Sequence, residues 1–181
     1  NLAMAIIREH LAHKGLGLHN DLQNEHSIVG NFPVALLLHR FGTKEQKDRY
    51  LDGMFTGKER IAFGLTEPNH GSDATFMETT ATKQGGDWVI NGMKRFNTGM
   101  HTATVDLVFA RTSGKPGDAR GISAFLTPVT SPGFKVEYMW WTFNMPSDHA
   151  EVSLTNVKVP ASSMLGEEGR GLDVAQTFVH E

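Results

Sequence analysis

The ten residues GLTEPNHGSD at positions 64–73 gather a Thr, a Glu, a Pro, two Gly and a Ser into one short stretch. A strand that ends near Leu65 delivers Thr66 to a turn in which Pro68 fixes the backbone. Gly71 lets a ligand come close to the main chain, and Ser72 offers a hydroxyl beside its own N–H. Amides and hydroxyls in this arrangement can solvate a phosphate without a lysine. An ordinary Pro-Asn-His-Gly turn capped by Ser72 and Asp73 accounts for the same composition. A second stretch, NGMKRFNTG at 91–99, puts Phe96 and Thr98 two apart. Period two predicts that both point to one face of a strand, where ring and hydroxyl would suit a flat heterocycle. A half-buried strand with a routine Phe and a surface Thr accounts for it equally.

The elements that must position these residues follow from changes of period. Leu2, Ala5, Ile6 and Leu11 recur at helical spacing until Gly15, Gly17, Asn20 and Asp21 interrupt them. SIVGNFPVALLLHRFG predicts a buried helix whose later part starts at Pro33 and which ends at Gly42. Thr43, with Gln46 three residues on, predicts a capping box opening KEQKDRYLDGMFTG. From Arg60 the alternation of Ile61, Phe63 and Leu65 predicts a strand. TTATKQGGDWVING predicts a hairpin turning at Gly85-Gly86, where both glycines can take positive φ. VDLVFART, GISAFLTPV, GFKVEYMWW and AEVSLTNVKV continue the series, giving seven or eight strands. That spacing predicts an antiparallel sandwich or barrel. After Pro160, SSMLGEEGRGLDVAQTFVHE predicts a return to helix. The fold class is therefore α+β, with helices, a β domain and the start of another helix.

With 181 residues, 39% of them hydrophobic, the chain can bury a core of one domain or slightly more. A net charge of −3 and the lack of a Lys/Arg cluster argue against a nucleic-acid partner. Zero Cys excludes disulfides and thiolate zinc sites and fits a reducing compartment. No apolar run reaches the length of a membrane span, and no secretory leader is seen. The chain starts and stops inside helical patterns, which predicts an internal piece of a longer protein. His10 and His13 lie one helical turn apart without a third ligand at useful spacing, so solvated or packing histidines are expected. GEEGRG lacks the Lys-Ser/Thr of a phosphate loop. Trp140 and Trp141 are expected to pack on the sheet or under a further domain.

Taken in order, FGTKEQKDRYL, IAFGLTEPNHGSD, TTATKQGGDWVINGMKRFNTG, DLVFART, MPSDHAEVSLTNVKVP and MLGEEGRG resemble the acyl-CoA dehydrogenase family over nearly the whole chain. The most specific feature is Thr-Glu-Pro-x-x-Gly-Ser-Asp followed by Asn-Gly-x-Lys about twenty residues on. The resemblance implies three regions: 1–59 as the end of an N-terminal helical domain, 60–165 as a middle β domain, and 166–181 as the start of a C-terminal helical domain. It implies FAD as cofactor, with Phe63, Gly64, Leu65, Thr66, Gly71 and Ser72 in a segment running along the flavin and its pyrophosphate. Leu65 and Thr66 would face the ring system, and Ser72 the pyrophosphate and the nearby acyl-CoA. Phe96, Asn97 and Thr98 match a second flavin segment, with the Thr98 hydroxyl directed at the ring nitrogen that receives hydride.

The chain also departs from the family. Many members have Trp-Ile-Thr where this chain has Phe96-Asn97-Thr98, so an amide stands at a commonly aliphatic position. His180 falls where some members place an Asp that contacts CoA, which makes it a candidate substrate contact. The reaction implied is α,β-dehydrogenation of an acyl-CoA thioester, with a glutamate taking the α-proton and the β-hydride passing to the flavin. That glutamate lies in the C-terminal domain in the family, so no base is assigned here, and Glu67 is expected to hold its loop. The resemblance further implies an electron-transfer flavoprotein or similar acceptor, a homodimer or homotetramer, and a bacterial cytoplasmic or mitochondrial matrix location rather than secretion. Alternatives are an acyl-CoA oxidase or flavin monooxygenase of the same fold, or a β-sandwich interaction module without chemistry.

Overall fold

A computed structural model describes residues 2–15, 32–142 and 145–180. Helix α1 spans Leu2–His13, α2 Phe32–Phe41 and α3 Lys44–Phe55. Pro33 sits in the first turn of α2, where its missing N–H has no intrahelical partner to lose. The chain leaves α2 at Gly42, whose N–H donates to Leu38 O at 2.9 Å. Thr43 then caps α3: Gln46 N donates to Thr43 Oγ1 (3.3 Å), and Thr43 N donates to Gln46 Oε1 (3.0 Å), the expected capping box. Gln46 is itself buried and donates from Nε2 to the carbonyls of Ser162 and Met164, both at 2.8 Å, which fastens α3 to the far end of the chain. Of the segment predicted as one buried helix, residues 27–31 lie outside the described residues, as does the break at 17–21.

Eight strands follow among the described residues: β1 Ile61–Gly64, β2 Thr80–Gln84, β3 Asp87–Thr98, β4 Val105–Arg111, β5 Ile122–Pro128, β6 Phe134–Thr142, β7 Met145–Pro160 and β8 Met164–Leu165. Their order is β6-β7-β3-β2-β4-β5-β8, with β1 joined to β4 in parallel. The long pairings, β2–β3, β3–β7, β4–β5 and β6–β7, are all antiparallel. The β2–β3 hairpin closes through Gly85 at φ 62°, whereas Gly86 does not take the positive φ allowed for both glycines.

The sheet curls on itself. Trp88 of β3 and Phe125 of β5 are three strand positions apart, roughly 14 Å on a flat sheet. Their ring centroids are nonetheless 5.6 Å apart. Inside the curl lies a core of Ala81, Trp88, Ile90, Val108, Phe125, Val152 and their neighbours. On the other face of β4 and β5, Leu107, Phe109, Ile122 and Leu126 pack with Leu37 and Leu38 of α2, Tyr50 and Met54 of α3 and Val174 of helix α4, Gly171–His180. β4 is consequently buried at all seven positions, including Asp106.

Two expectations need correction. The return to helix does not begin after Pro160. A 3-10 turn at Ala161–Ser163, the short strand β8 and a glycine-punctuated loop come first, and helix starts at Gly171. Residues 164–165 are held instead by pairing with Phe125 and Ala124. Strict alternation along β3 also fails, because the pairing slips between Arg95–Glu151 and Asn97–Ala150. Phe96 is the extra residue, at φ 64°, a conformation seldom adopted outside glycine.

Candidate functional site

The two sequence segments meet. Arg95 N donates to Thr66 O at 2.8 Å, and the Lys94 ammonium donates to Leu65 O at 3.2 Å and Glu67 Oε1 at 2.8 Å. Residues 65–67 thus run beside β3 where it reaches its bulge. Glu67 is buried and accepts from the N–H of Glu78 (2.6 Å) and Thr79 (2.9 Å), while its backbone exchanges hydrogen bonds with His70 across the turn. Holding the loop, as expected of Glu67, is what these bonds do. Burial alone pushes the Glu67 carboxyl up, but the charge and hydrogen bond of Lys94, with those from Thr79 and Glu78, outweigh it and hold the group below its ordinary value. Burial brings the Lys94 ammonium down to about 8 against the pull of Glu67.

The far side of the turn is fixed separately. Asp73 caps the 3-10 turn Ala74–Phe76 by accepting from Thr75 N at 2.9 Å. Arg111, buried at the end of β4, donates to Thr75 O (2.5 Å) and to the carbonyls of Ser113, Asp118 and Arg120. Between these anchors Gly71 and Ser72 are exposed. Gly71 has no positive φ, and a Cβ built on it would meet nothing within 4 Å. Nothing inside the chain requires a glycine there.

The remaining predicted residues fall into two groups. Leu65, Thr66 and Thr98 are half-buried, and the Phe96 ring is 47% exposed, 5.7 Å from Trp140. Arg95 lies over the same indole at 4.9 Å. The Thr98 hydroxyl is 2.9 Å from His149 Nδ1. The others turn inward. Phe63 stacks on Phe178 of α4 at 4.2 Å and tilts against Phe109 at 5.1 Å. Gly64 and Asn97 are buried, and Asn97 Nδ2 donates to Asp106 Oδ2 at 2.6 Å. Burial pushes the Asp106 carboxyl up to about 7, against the lowering influence of Asn97 and Lys94. Lys94 and Asn97, three apart, both face inward because of the bulge, while Arg95, Phe96 and Thr98 remain accessible. His180 is the last residue of α4.

Sequence reasoning gave no role to Lys94, Asp106, Arg111 or His149. Two of them carry a local signal: Lys94 closes the Asn-Gly-x-Lys motif, and Asp106 is a lone acid inside the apolar run VDLVFA. Among the described residues, no cluster of three His, Asp or Glu could hold a metal, and no helix is long and apolar enough to cross a membrane.

Curled, mostly antiparallel and flanked by short helices, this is an α+β domain in which the 65–72 turn meets the bulged end of β3. The chain belongs to the acyl-CoA dehydrogenase family: residues 62–157 match the model of the acyl-CoA dehydrogenase middle domain. It is 40% identical over 141 residues to the acryloyl-CoA reductase (NADH) of Anaerotignum propionicum, covering 76% of this chain and 36% of that protein. The fold is similar to that of butyryl-CoA dehydrogenase from Megasphaera elsdenii, with a TM-score of 0.76 and 38% identity over 80% of this chain and 38% of that one. It is also similar to a glutaryl-CoA dehydrogenase from Mycobacterium smegmatis in complex with FADH2, with a TM-score of 0.72 and 34% identity over 81% of this chain and 36% of that one. The chain thus spans little more than a third of the length of these relatives.

Proposed function

We propose that this chain is the flavin-facing part of an FAD-dependent acyl-CoA dehydrogenase, in which residues 60–165 form the middle domain between the helical regions 1–59 and 166–181. The observation that carries the reading is the junction of the 63–72 and 96–98 segments, joined by Arg95 N to Thr66 O and by the Lys94–Glu67 pair. The residues fit a flavin nucleotide. Gly71 and Ser72 offer open backbone and a hydroxyl to a pyrophosphate, and Thr66, Phe96 and Thr98 present accessible groups to a ring system. The demand for glycine at 71, absent inside the chain, is met by a ligand approaching its backbone. Phe63, Gly64 and Asn97 support the site from beneath through packing and main chain.

When bound, FAD supplies the hydride acceptor. The chain's own contribution would be positioning: Thr98 would donate a hydrogen bond to the ring, Leu65 and Phe96 would cover it, and Ser72 and His180 are the candidate contacts to acyl-CoA. We assign no catalytic base among these residues. The acceptor of its electrons would be an electron-transfer flavoprotein or similar carrier, and the full enzyme would be a homo-oligomer.

The test is the visible spectrum of the purified protein under anaerobic titration with short- to medium-chain acyl-CoA. A flavin band that bleaches supports the reading; failure to take up FAD at any concentration overturns it. In the full-length enzyme Thr98→Val is expected to weaken FAD binding or slow flavin reduction by about tenfold, the equivalent of about one hydrogen bond. Unchanged affinity and reduction rate would remove Thr98 from the site.

A further inference from the structure

Asn97 and Asp106 are both fully buried, and each leaves one oxygen, Asn97 Oδ1 and Asp106 Oδ1, without a hydrogen-bond partner. Their other ends meet at 2.6 Å. The backbone of Gly64 closes one side of the pair. A Cβ there would fall 2.8 Å from Asn97 Nδ2 and 2.9 and 3.0 Å from the two Asp106 oxygens. An ionised carboxylate in this place is all acceptor and offers nothing to Asn97 Oδ1, so both oxygens would stay unsatisfied. A single proton resolves both. Placed on Asp106 Oδ1, it turns the acid into a donor for Asn97 Oδ1 while Asn97 Nδ2–H continues to donate to Asp106 Oδ2.

We propose that Asn97 and Asp106 form a neutral acid–amide pair, held by two reciprocal hydrogen bonds, that sets the bulge presenting Phe96 and Thr98 and loosens it when Asp106 loses its proton. The pair acts as a positioning device, because it touches the ligand-facing residues only through the strand. Its bearing on FAD rests on the reading above; its protonation does not. The charged groups facing it are few. Lys94 on β3 lies near Asp106 but is committed to Glu67, whose turn follows β1. On β7, His149 faces Thr98 rather than the acid. Burial as the dominant influence on Asp106 accords with a neutral acid below about pH 7.

Infrared spectroscopy of the full chain tests the protonation directly. A protonated-carboxyl stretch present at pH 6, fading by pH 9 and missing in Asp106→Asn is expected; its absence at pH 6 overturns the pair. Hydrogen exchange across 94–99, corrected for intrinsic rates, tests the positioning without any ligand. Exchange in the wild type should exceed that of Asp106→Asn at pH 9 and equal it at pH 6. Equal exchange at both values overturns the link to the bulge. If Asp106→Asn fails to fold, the double variant Asn97→Leu, Asp106→Leu takes its place as the pH-insensitive reference. FAD affinity is read last. It should weaken by roughly tenfold between pH 6 and pH 9 in the wild type and stay level in the variant, as a coupling of about one pKa unit requires. FAD binding that is absent at every pH counts against the flavin reading alone, and the infrared and exchange results still decide the pair.

Discussion

Two buried polar clusters stand side by side on β3 and differ in how completely they are satisfied. Around Lys94 and Glu67 the bonds close: the ammonium has a carboxylate and a carbonyl, and the carboxylate has two further backbone donors. Around Asn97 and Asp106 one bond is made and two oxygens are left over. The first cluster ties a turn to a strand through full charges. The second sits three residues on, where the strand bulges. Charge is retained where each buried polar atom has a partner, and proton uptake is favoured where two oxygens have none.

The largest break in that contrast comes from Lys94→Met. It leaves Glu67 buried without its counter-charge, and a loss of about 3–5 kcal/mol is expected in denaturant midpoints. Glu67 also sets a pH signature. Its folded value is held below the ordinary one, so its contribution is present above pH 4.5 and lost as pH falls through the lowered value. Next in size is Asn97→Leu, which takes from Asp106 its hydrogen-bond partner, at a cost of about 1–3 kcal/mol. Asp106 has the opposite sign to Glu67. Its folded value is raised from 3.8 to about 7, so its contribution is complete below 3.8 and declines as pH rises to about 7. Thermal melts of Asn97→Leu should therefore show a larger deficit at pH 5, where the pair is intact, than at pH 8, where it is already loosened. A deficit independent of pH would mean that the two clusters behave alike. The smallest effect is that of Gly71→Ala, under about 0.5 kcal/mol in melts, because its added methyl meets no atom of the chain. Titration with FAD should nonetheless show weaker binding. Placed at Gly64 the same methyl strikes the Asn97–Asp106 pair, and the melt itself should move.

What the sequence revealed was local. The Thr43–Gln46 capping box, the stop at Gly42 and the hairpin at Gly85 each depend on residues a few positions apart, and each formed as read. The bulge at Phe96 escaped because it answers to Glu151 and Ala150 on another strand. Asn97 could be seen as an odd amide, but its partner Asp106 became visible only once β4 and β3 were brought together by the curl. The helix after Pro160 was misplaced for a related reason: Met164 and Leu165 were claimed by β5, a long-range pairing that helical periodicity does not register. Of the site, the turn and the Phe96–Thr98 segment were legible as motifs; Lys94 stood in a motif without a role, and Arg111 gave no signal.

The pairing of β3 with β7 has one more consequence, which concerns time rather than stability. Asp87 meets Pro160, so the partner strand is synthesised long after β3 has formed its hairpin with β2. Until then one edge of β3, with Met93 and Phe96 along it, is a row of unpaired backbone groups open to other chains. Such distant pairings slow folding. A nascent chain of this protein is most vulnerable to sticking in the interval between the emergence of β3 and that of β7.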